Sequence, residues 1–190
     1  MAGTIYITGD KHGTMLPLFG LASNNDLQQE DVLIITGDAG FVWDETYPKT
    51  VATLEQTFPG TTVFVDGNHE NHDLLNAMEV MEWNGGRVHR VGERTLHLMR
   101  GEIYSICGQT IFAFGGARSS DKNDRRTEGV DWWSGEEPTP EEIAYGAETL
   151  KKHLSEIDYI ITHEPPLFAR DHITRKLPLD DDYEFPAVLD

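Results

Sequence analysis

The chain has 190 residues, of which 38% are hydrophobic and 25% are charged, and these proportions are ordinary for a globular protein. This length predicts a single domain over residues 1–190, and no apolar run approaches the roughly 18 to 20 residues that span a bilayer, which argues against a membrane protein. The formal net charge of −18 repels polyanions and argues against a binder of duplex nucleic acid. A small phosphorylated substrate or a phosphoprotein stays open as a partner, because carboxylates attract divalent cations that reverse the local field.

Neither the N-terminus nor the cysteine content indicates export. The first residues lack the basic region, long apolar segment and cleavage site of a secretory signal, so we expect a cytoplasmic protein. Cys107 is the only cysteine, which excludes an intrachain disulfide. It ends a strand-like run that starts at Ile103, and this setting predicts a buried position in the core. The oligomeric state stays open.

Strand and helix patterns alternate through the first part of the chain. This alternation is typical of βαβ units around a parallel sheet. The predicted strands are Thr4–Thr8, Asp31–Thr36 and Thr61–Asp66, and the predicted helices are Met15–Ala22, Val51–Phe58 and Asp73–Met81.

The second part of the chain has shorter strand-like runs separated by glycine-containing turns, which predict an antiparallel meander. The polar stretch Arg118–Pro138 predicts a long loop or lid. A helix over Pro140–Leu154, with Thr139 as its N-cap, and a last strand over Tyr159–Thr162 follow. The four strands of the predicted meander are Arg87–Val91, Thr95–Met99, Glu102–Cys107 and Thr110–Phe114.

Residues of the types that bind metals follow four of the predicted strands. They stand in the segments Gly9–Gly13, Gly37–Asp38 and Gly67–Glu70 and at His163. In open α/β sheets the loops after the carboxyl ends of the strands form the ligand crevice, so residues distant in sequence meet there. The glycines allow sharp turns where each strand ends. The sequence therefore predicts one site assembled from four loops.

This ordered set resembles the calcineurin-like metallophosphoesterases, whose pattern is Asp-x-His, Gly-Asp, Gly-Asn-His-Asp/Glu, a lone His and then Gly-His-x-His. The first four elements are present in order between Ile5 and His163. The segment Gly37–Trp43 is similar to a Gly-Asp-x-Gly-x-x-Trp variant of bacterial members. The resemblance implies an α/β fold in which two mixed β-sheets, flanked by helices, form an αββα sandwich.

The resemblance also implies hydrolysis of a phosphate mono- or diester by a water activated between two divalent metal ions. It places Asp10 and His12 on one metal, Asn68 and His163 on the other, and Asp38 between them as a bridging carboxylate. Nitrogen and oxygen donors without thiolate suit manganese, iron or zinc. A bridging carboxylate can hold two cations at the separation that two-metal hydrolases use.

His69 is not among these expected metal ligands, and the family resemblance gives it a separate role. The resemblance implies a catalytic histidine that faces the leaving group, where it protonates the departing alkoxide or stabilises charge on the phosphoryl group. Either Asp38 or Glu70 could orient its ring.

The last element of the family pattern is missing, because no Gly-His-x-His follows His163 and the only later histidine is His172. A site without those two histidines has five protein ligands for two cations, so a lower metal affinity and activity are expected. Three explanations stay open: a chain cut short, a partner chain that supplies the ligands, and a natural variant. We expect a C-terminally incomplete domain, because Tyr183–Asp190 resembles the start of another helix.

The other histidines have ordinary structural interpretations. His72 is expected at the surface of the third helix, and His89, His97 and His153 have no partner motif, so none is expected to be a ligand. The acidic run Asp180–Asp182 is expected to be solvated.

The polar insertion allows two interpretations. Trp132 and Trp133, with Arg125 and Arg126, either flank the cleft as a specificity lid or pin the loop to the core. Arg118 is more consistent with a solvated loop residue than with a contact to substrate phosphate.

Two hypotheses compete with an active enzyme. One is a catalytically impaired metal-binding or protein-interaction scaffold on the same fold. The other is an unrelated α/β binding protein that carries these residues by coincidence.

Overall fold

The computed structural model describes residues 3–24, 26–119 and 127–166 of the chain. The strands in these ranges are β1 (Ile5–Thr8), β2 (Val32–Thr36), β3 (Thr61–Val65), β4 (Val80–Trp83), β5 (Gly86–Arg90), β6 (Thr95–Leu98), β7 (Glu102–Ile106), β8 (Gln109–Phe114) and β9 (Tyr159–Thr162). The helices are α1 (Leu16–Asn24), α2 (Tyr47–Thr57), α3 (His72–Asn76) and α4 (Pro140–His153), with a short 3₁₀ turn at Ser134–Glu136.

The first sheet has six strands in the order β1-β2-β3-β6-β5-β4. Strands β1, β2, β3 and β6 are parallel neighbours, and β5 and β4 continue the sheet in antiparallel pairs. Every residue of β2 is buried except Thr36, as expected for a central strand covered on both faces. The parallel β1-β2-β3 arrangement agrees with the βαβ prediction.

The second sheet has three strands in the order β7-β8-β9, with β7 antiparallel and β9 parallel to β8. One face of this sheet packs on the first sheet. The shared core contains Ile34, Val63 and Leu98 from the first sheet and Ile106 and Ile111 from the second. The two sheets are therefore packed face to face.

Helices cover the outer face of each sheet. A second core cluster fills the space between the first sheet and helices α1, α2 and α3, and it includes Leu18, Leu54 and Leu75. On the other side α4 lies against the second sheet, where Gly146 leaves room for the ring of Phe114. These layers confirm the predicted αββα sandwich. No helix in the three described ranges is long and apolar enough to cross a membrane.

Thr139 caps α4 as the sequence predicts. Its hydroxyl accepts a hydrogen bond from the backbone N–H of Glu142 (3.2 Å), and the Glu142 carboxylate accepts one from the backbone N–H of Thr139 (2.8 Å). This reciprocal pair satisfies two N–H groups at the start of the helix, and Pro140 needs no partner there.

The predicted helix over Asp73–Met81 is wrong in its second half. Helix α3 ends at Asn76, and Val80–Trp83 forms the edge strand β4, which pairs with β5. The turn between the two strands is Asn84-Gly85, and both residues have positive φ (49° and 100°). Such turns match the twist of a hairpin, so the pairing prevails over the helical pattern.

The predicted meander is also divided. Strands β5 and β6 belong to the first sheet, because β6 pairs with β3, whereas β7 and β8 form a hairpin in the second sheet. Cys107 is a half-buried residue of the β7–β8 turn with φ of 49°, and it is not part of a buried strand.

The predicted helix from Val51 begins earlier, at Tyr47, because Pro48 fits the first turn of a helix.

Candidate metal centre

Three loops meet at the carboxyl edge of β1, β2 and β3. The backbone N–H groups of Asp10 and His12 donate hydrogen bonds to the carbonyl groups of Gly37 (3.1 Å) and Asp38 (2.9 Å). Further along, Gly13 donates to Ala39 at 2.8 Å. A Cβ on Gly40 would lie 2.7 Å or less from backbone atoms of Gly13 and His12, so only glycine permits this approach. The first two loops are therefore fixed against each other through the main chain.

The backbone of this edge is strained at the predicted ligands. Asp10, His12 and Asp38 all have positive φ values, of 54°, 47° and 48°. This left-handed region is uncommon for residues other than glycine, although Asp and His tolerate it better than most. Residues held in such conformations cluster at functional sites, because the surrounding structure must enforce them.

Three side chains form a donor cluster, namely His12, Asp38 and His69. One ligand atom from each lies within 4.8 Å of the other two. Asp10 adjoins the cluster, because one carboxylate oxygen lies 2.5 Å from Nε2 of His12. Imidazole nitrogens and carboxylate oxygens at this spacing fit a divalent cation such as manganese, iron or zinc.

His163 reaches the same edge from the second sheet, where it follows β9. Its Nδ1 lies 3.0 Å from the carbonyl oxygen of Thr36, so Nδ1 carries the proton and donates it to that oxygen. The other nitrogen, Nε2, lies 3.5 Å from Oδ1 of Asp38. A backbone carbonyl that fixes the tautomer in this way leaves Nε2 free to accept a metal.

The glycines of the site make room for His163. A Cβ on Gly37 would fall 2.2 Å from Nδ1 of His163, and one on Gly67 would fall 2.1 Å from Oδ1 of Asp38. Both positions require glycine for the histidine and the carboxylate to meet.

The structure brings Asp10, His12, Asp38 and His163 together as the sequence predicts. Asn68 is half-buried in the loop after β3, and no hydrogen bond joins its side chain to the other four among the described residues. The assignment of all five as metal ligands stays a prediction.

His69 lies next to two of the predicted ligands, Asp38 and His12. Its backbone N–H donates to Oδ1 of Asp38 (2.9 Å), and its ring meets the ring of His12 edge-to-face at 4.4 Å between centroids. The ring of Trp43 lies on another side, 6.2 Å away and within 23° of parallel. His69 is thus a member of the donor cluster as well as a candidate acid.

Glu70 joins two of the loops. Its side chain is fully buried and accepts hydrogen bonds from the backbone N–H groups of Gly67 (2.7 Å) and Gly40 (3.2 Å). Burial, together with the nearby charge of Asp38, raises the pKa of Glu70 to about 8. These two hydrogen bonds, which we call the Glu70 clamp, hold the loops after β2 and β3 at a fixed separation.

An aromatic wall stands beside the donor cluster. Trp133 is only 3% exposed, and its ring meets Trp43 edge-to-face at 5.0 Å. This packing favours the interpretation that Trp133 pins the insertion to the core. Arg118 is exposed, as a solvated loop residue would be. Arg125, Arg126 and the acidic run Asp180–Asp182 lie outside the described residues.

A second polar cluster lies next to the site and was missed by sequence reasoning. Asp66, at the end of β3, is 1% exposed and pairs with Arg100 and with Nε2 of His97 (3.0 Å). Nδ1 of His97 in turn lies 2.9 Å from Nδ1 of His89. Although burial opposes it, the charge of Arg100 and the hydrogen bond from His97 hold the pKa of Asp66 well below its usual range.

His72 belongs with this buried region, so its predicted surface position is wrong. It is 2% exposed, and its Nε2 lies 3.1 Å from the carbonyl oxygen of Gly67. Burial lowers the pKa of His72. Helix α3 is only about one turn long, and its first residue is packed against the loop that follows β3. The sequence position of His72, directly after the N-cap Asn71, does not by itself distinguish a buried side chain from an exposed one. Among the described residues, the donor cluster contains none of His72, His89, His97 and His153, and the expectation that none of them is a ligand stays a prediction.

The sequence was also compared with known proteins. The sequence model of the calcineurin-like phosphoesterase family matches residues 3–188. No curated protein and no solved structure matches the chain. The family match covers nearly the whole chain, and the αββα layers and the loops at the strand ends agree with it. The chain belongs to the calcineurin-like phosphoesterase family.

Proposed function

We propose that this protein hydrolyses a phosphate mono- or diester at the edge formed by the loops after β1, β2, β3 and β9. Asp10, His12, Asp38, Asn68 and His163 would hold two divalent cations. The observation that carries the proposal is the donor cluster of His12, Asp38 and His69, with Asp10 and His163 adjoining it. Bound there, such cations would acidify an attacking water and neutralise phosphate oxygens.

The position of Asp38 supports a bridging role. Its Oδ2 lies 3.6 Å from Nε2 of His12, and its Oδ1 lies 3.5 Å from Nε2 of His163. Each carboxylate oxygen therefore faces a different imidazole nitrogen. Burial of Asp38 and its hydrogen bond from the His69 backbone fix this orientation. One carboxylate can then serve two half-sites, one on each side.

The position of His69 supports a role in proton transfer. Its ring lines an open cavity of about 200 Å³ with His12, Gly40 and Trp43. A phosphate ester held at the donor cluster would extend into this cavity. An imidazole at its wall can deliver a proton to the departing oxygen, a contribution of about 10²- to 10⁴-fold.

The proposal is tested by hydrolysis of p-nitrophenyl phosphate and bis(p-nitrophenyl) phosphate by the purified protein with Mn²⁺. We expect metal-dependent turnover, loss of at least about 10³-fold in Asp38→Asn, because a bridging oxygen is lost, and about 10²-fold in His69→Ala. Matched controls are Asp26→Asn, at an exposed carboxylate, and His153→Ala, at the end of α4.

Two results would contradict the proposal. One is full activity of the Asp38→Asn protein. The other is a wild-type protein that binds manganese, as measured by elemental analysis, and hydrolyses neither ester.

A further inference from the structure

The cavity beside the donor cluster has one large apolar surface. Of its four lining residues, His12 and His69 belong to the donor cluster and Gly40 is only backbone, which leaves the half-buried indole of Trp43. None of the four is a lysine or arginine, so this wall offers a phosphoester no fixed positive charge. The part of a substrate that lies beyond the phosphorus therefore meets a π-surface.

Trp43 is held in place from several directions. Its carbonyl oxygen accepts a hydrogen bond from Nδ2 of Asn71 (2.9 Å), and the neighbouring carbonyl of Val42 accepts one from the Asn71 backbone (2.8 Å). The buried ring of Trp133 packs edge-on against the indole at 87°. The indole is fixed before any ligand arrives, so no ordering of this side chain opposes binding.

The orientation of the indole suits a planar partner. Trp43 and His69 both line the cavity, and their ring planes differ by only 23° with 6.2 Å between the centroids, so the two rings have nearly parallel faces there. Aromatic rings and nucleobases stack on such surfaces whatever their hydrogen-bonding edges, and one stacking contact changes affinity roughly tenfold. An aliphatic group gains less from the same wall.

We propose that Trp43 is a stacking platform that makes phosphoesters of planar aromatic groups the favoured substrates of this site. The group is an aryl ring or the base of a nucleotide, and both offer the same flat π-face. This inference rests on the proposed function and adds a substrate class to it.

The test compares adenosine 5′-monophosphate with ribose 5-phosphate. The two share the same primary alkoxide leaving group and differ in the base, so leaving-group chemistry cancels in the ratio of their kcat/KM values. With Mn²⁺ present, we expect a ratio of about 10 or more in the wild-type protein. The ratio should fall about tenfold in Trp43→Leu and be largely kept in Trp43→Phe.

A second assay, with an aryl ester, shows whether the favoured ring is an aryl group or a nucleobase. Phenyl phosphate is assayed with the same variants, and a loss in Trp43→Leu with phenyl phosphate alone would assign the platform to aryl esters. The control is Trp83→Leu, because Trp83 packs on Tyr104 at the far edge of the first sheet. Circular dichroism and thermal unfolding establish that each variant folds.

A binding measurement separates this inference from the proposed function. Calorimetric titration with adenosine and with ribose requires no turnover, and we expect binding of adenosine alone, weakened about tenfold by Trp43→Leu. If no ester is hydrolysed but adenosine binds in this way, the proposed function fails and the platform stands. Equal kcat/KM for the nucleotide and the sugar phosphate in the wild-type protein would overturn the inference. An unchanged ratio in Trp43→Leu would do the same.

Discussion

Two polar clusters lie near the end of β3, and they are built in opposite ways. Asp66 points into the interior, where Arg100 and His97 pair with both of its carboxylate oxygens. Asp38 belongs to the donor cluster, and its carboxylate oxygens lie 3.5 Å from Nε2 of His163 and 3.6 Å from Nε2 of His12. The protein pairs both oxygens of the Asp66 carboxylate. It orients the Asp38 carboxylate but leaves its oxygens able to bind another group.

The two clusters differ in their backbone as well. Asp10, His12 and Asp38 have positive φ, whereas none of Asp66, His97 and Arg100 does. The buried cluster thus stabilises the fold without strain, and the open one is maintained by glycines, main-chain hydrogen bonds and the Glu70 clamp. We infer that the first cluster serves folding and the second serves chemistry.

The largest effect on stability is expected for Asp66→Asn. This change removes the charge that faces Arg100 and His97 and leaves the buried guanidinium with only the half-exposed Glu142 carboxylate, at its Nη1, as a counter-ion. Breaking a buried pair in this way costs about 3 to 5 kcal/mol. The measurement is the free energy of unfolding in urea at pH 7, and a loss below about 1 kcal/mol would contradict the role of this cluster in folding.

The same substitution at Asp38 is the matched comparison. Asn tolerates positive φ and keeps one acceptor for the His69 backbone, so the free energy of unfolding without metal should change by less than about 1 kcal/mol. A loss at Asp38 as large as that at Asp66 would remove the distinction between the two clusters.

Much of the open cluster could be predicted from the sequence. Short apolar runs followed by Gly-Asp or Gly-Asn place polar residues at the carboxyl edge, and parallel strands bring such residues together whatever the details of packing. The positions of Asp10, His12 and Asp38 follow from this rule, whereas His163 follows β9 of the second sheet directly and without a glycine. The nearness of His69 to the predicted metal ligands does not follow from the rule, because it depends on the rotation of one ring between His12 and Trp43.

The buried cluster could not be predicted in the same way. His89 and His97 are direct partners in the β5–β6 pairing, and that register is set by contacts between distant parts of the chain. The stretch from Asp73 to Met81 has a helical pattern, so the edge strand β4 was predicted as part of a helix. Strands β5 and β6 were predicted as strands but were grouped in one meander with β7 and β8. The Asn84-Gly85 pair was the available signal for a hairpin.

A smaller effect is expected from pH at the buried cluster. Burial, with the adjoining ring of His97, lowers the pKa of His89 from its usual 6.5 to about 4, while the more distant Asp66 opposes this shift. A histidine with a lowered pKa in the folded state binds protons more readily when unfolded. Stability from His89 is therefore fully present above pH 6.5 and is lost as the pH falls toward 4.

The measurement is urea unfolding of the wild-type protein and of His89→Gln between pH 7 and pH 4. The wild-type protein should lose about 1 to 2 kcal/mol more than the variant across this window, a range that allows for screening by solvent. Parallel curves for the two proteins would show that His89 is not responsible. The contribution of Asp66, whose pKa is lowered by Arg100 and His97 against the effect of burial, begins to fall only at the lower end of this window, and it is common to both proteins, so it cancels in the difference between them.

The smallest effect of a change at the buried cluster is expected where that cluster reaches the surface, at the start of α4. Nη1 of Arg100 donates to Oε2 of Glu142 (3.0 Å), the same oxygen that accepts the backbone N–H of Thr139 in the capping box. Thr139→Ala removes the hydroxyl that satisfies the N–H of Glu142 and should cost about 1 kcal/mol. Thr139→Ser keeps the hydroxyl and should stay within about 0.5 kcal/mol of the wild type in the same unfolding assay.

If the Thr139→Ala loss is the same in an Asp66→Asn background, the cap acts alone. A different loss there would show that the buried cluster extends through Arg100 and Glu142 to the helix end, because only connected groups have non-additive effects.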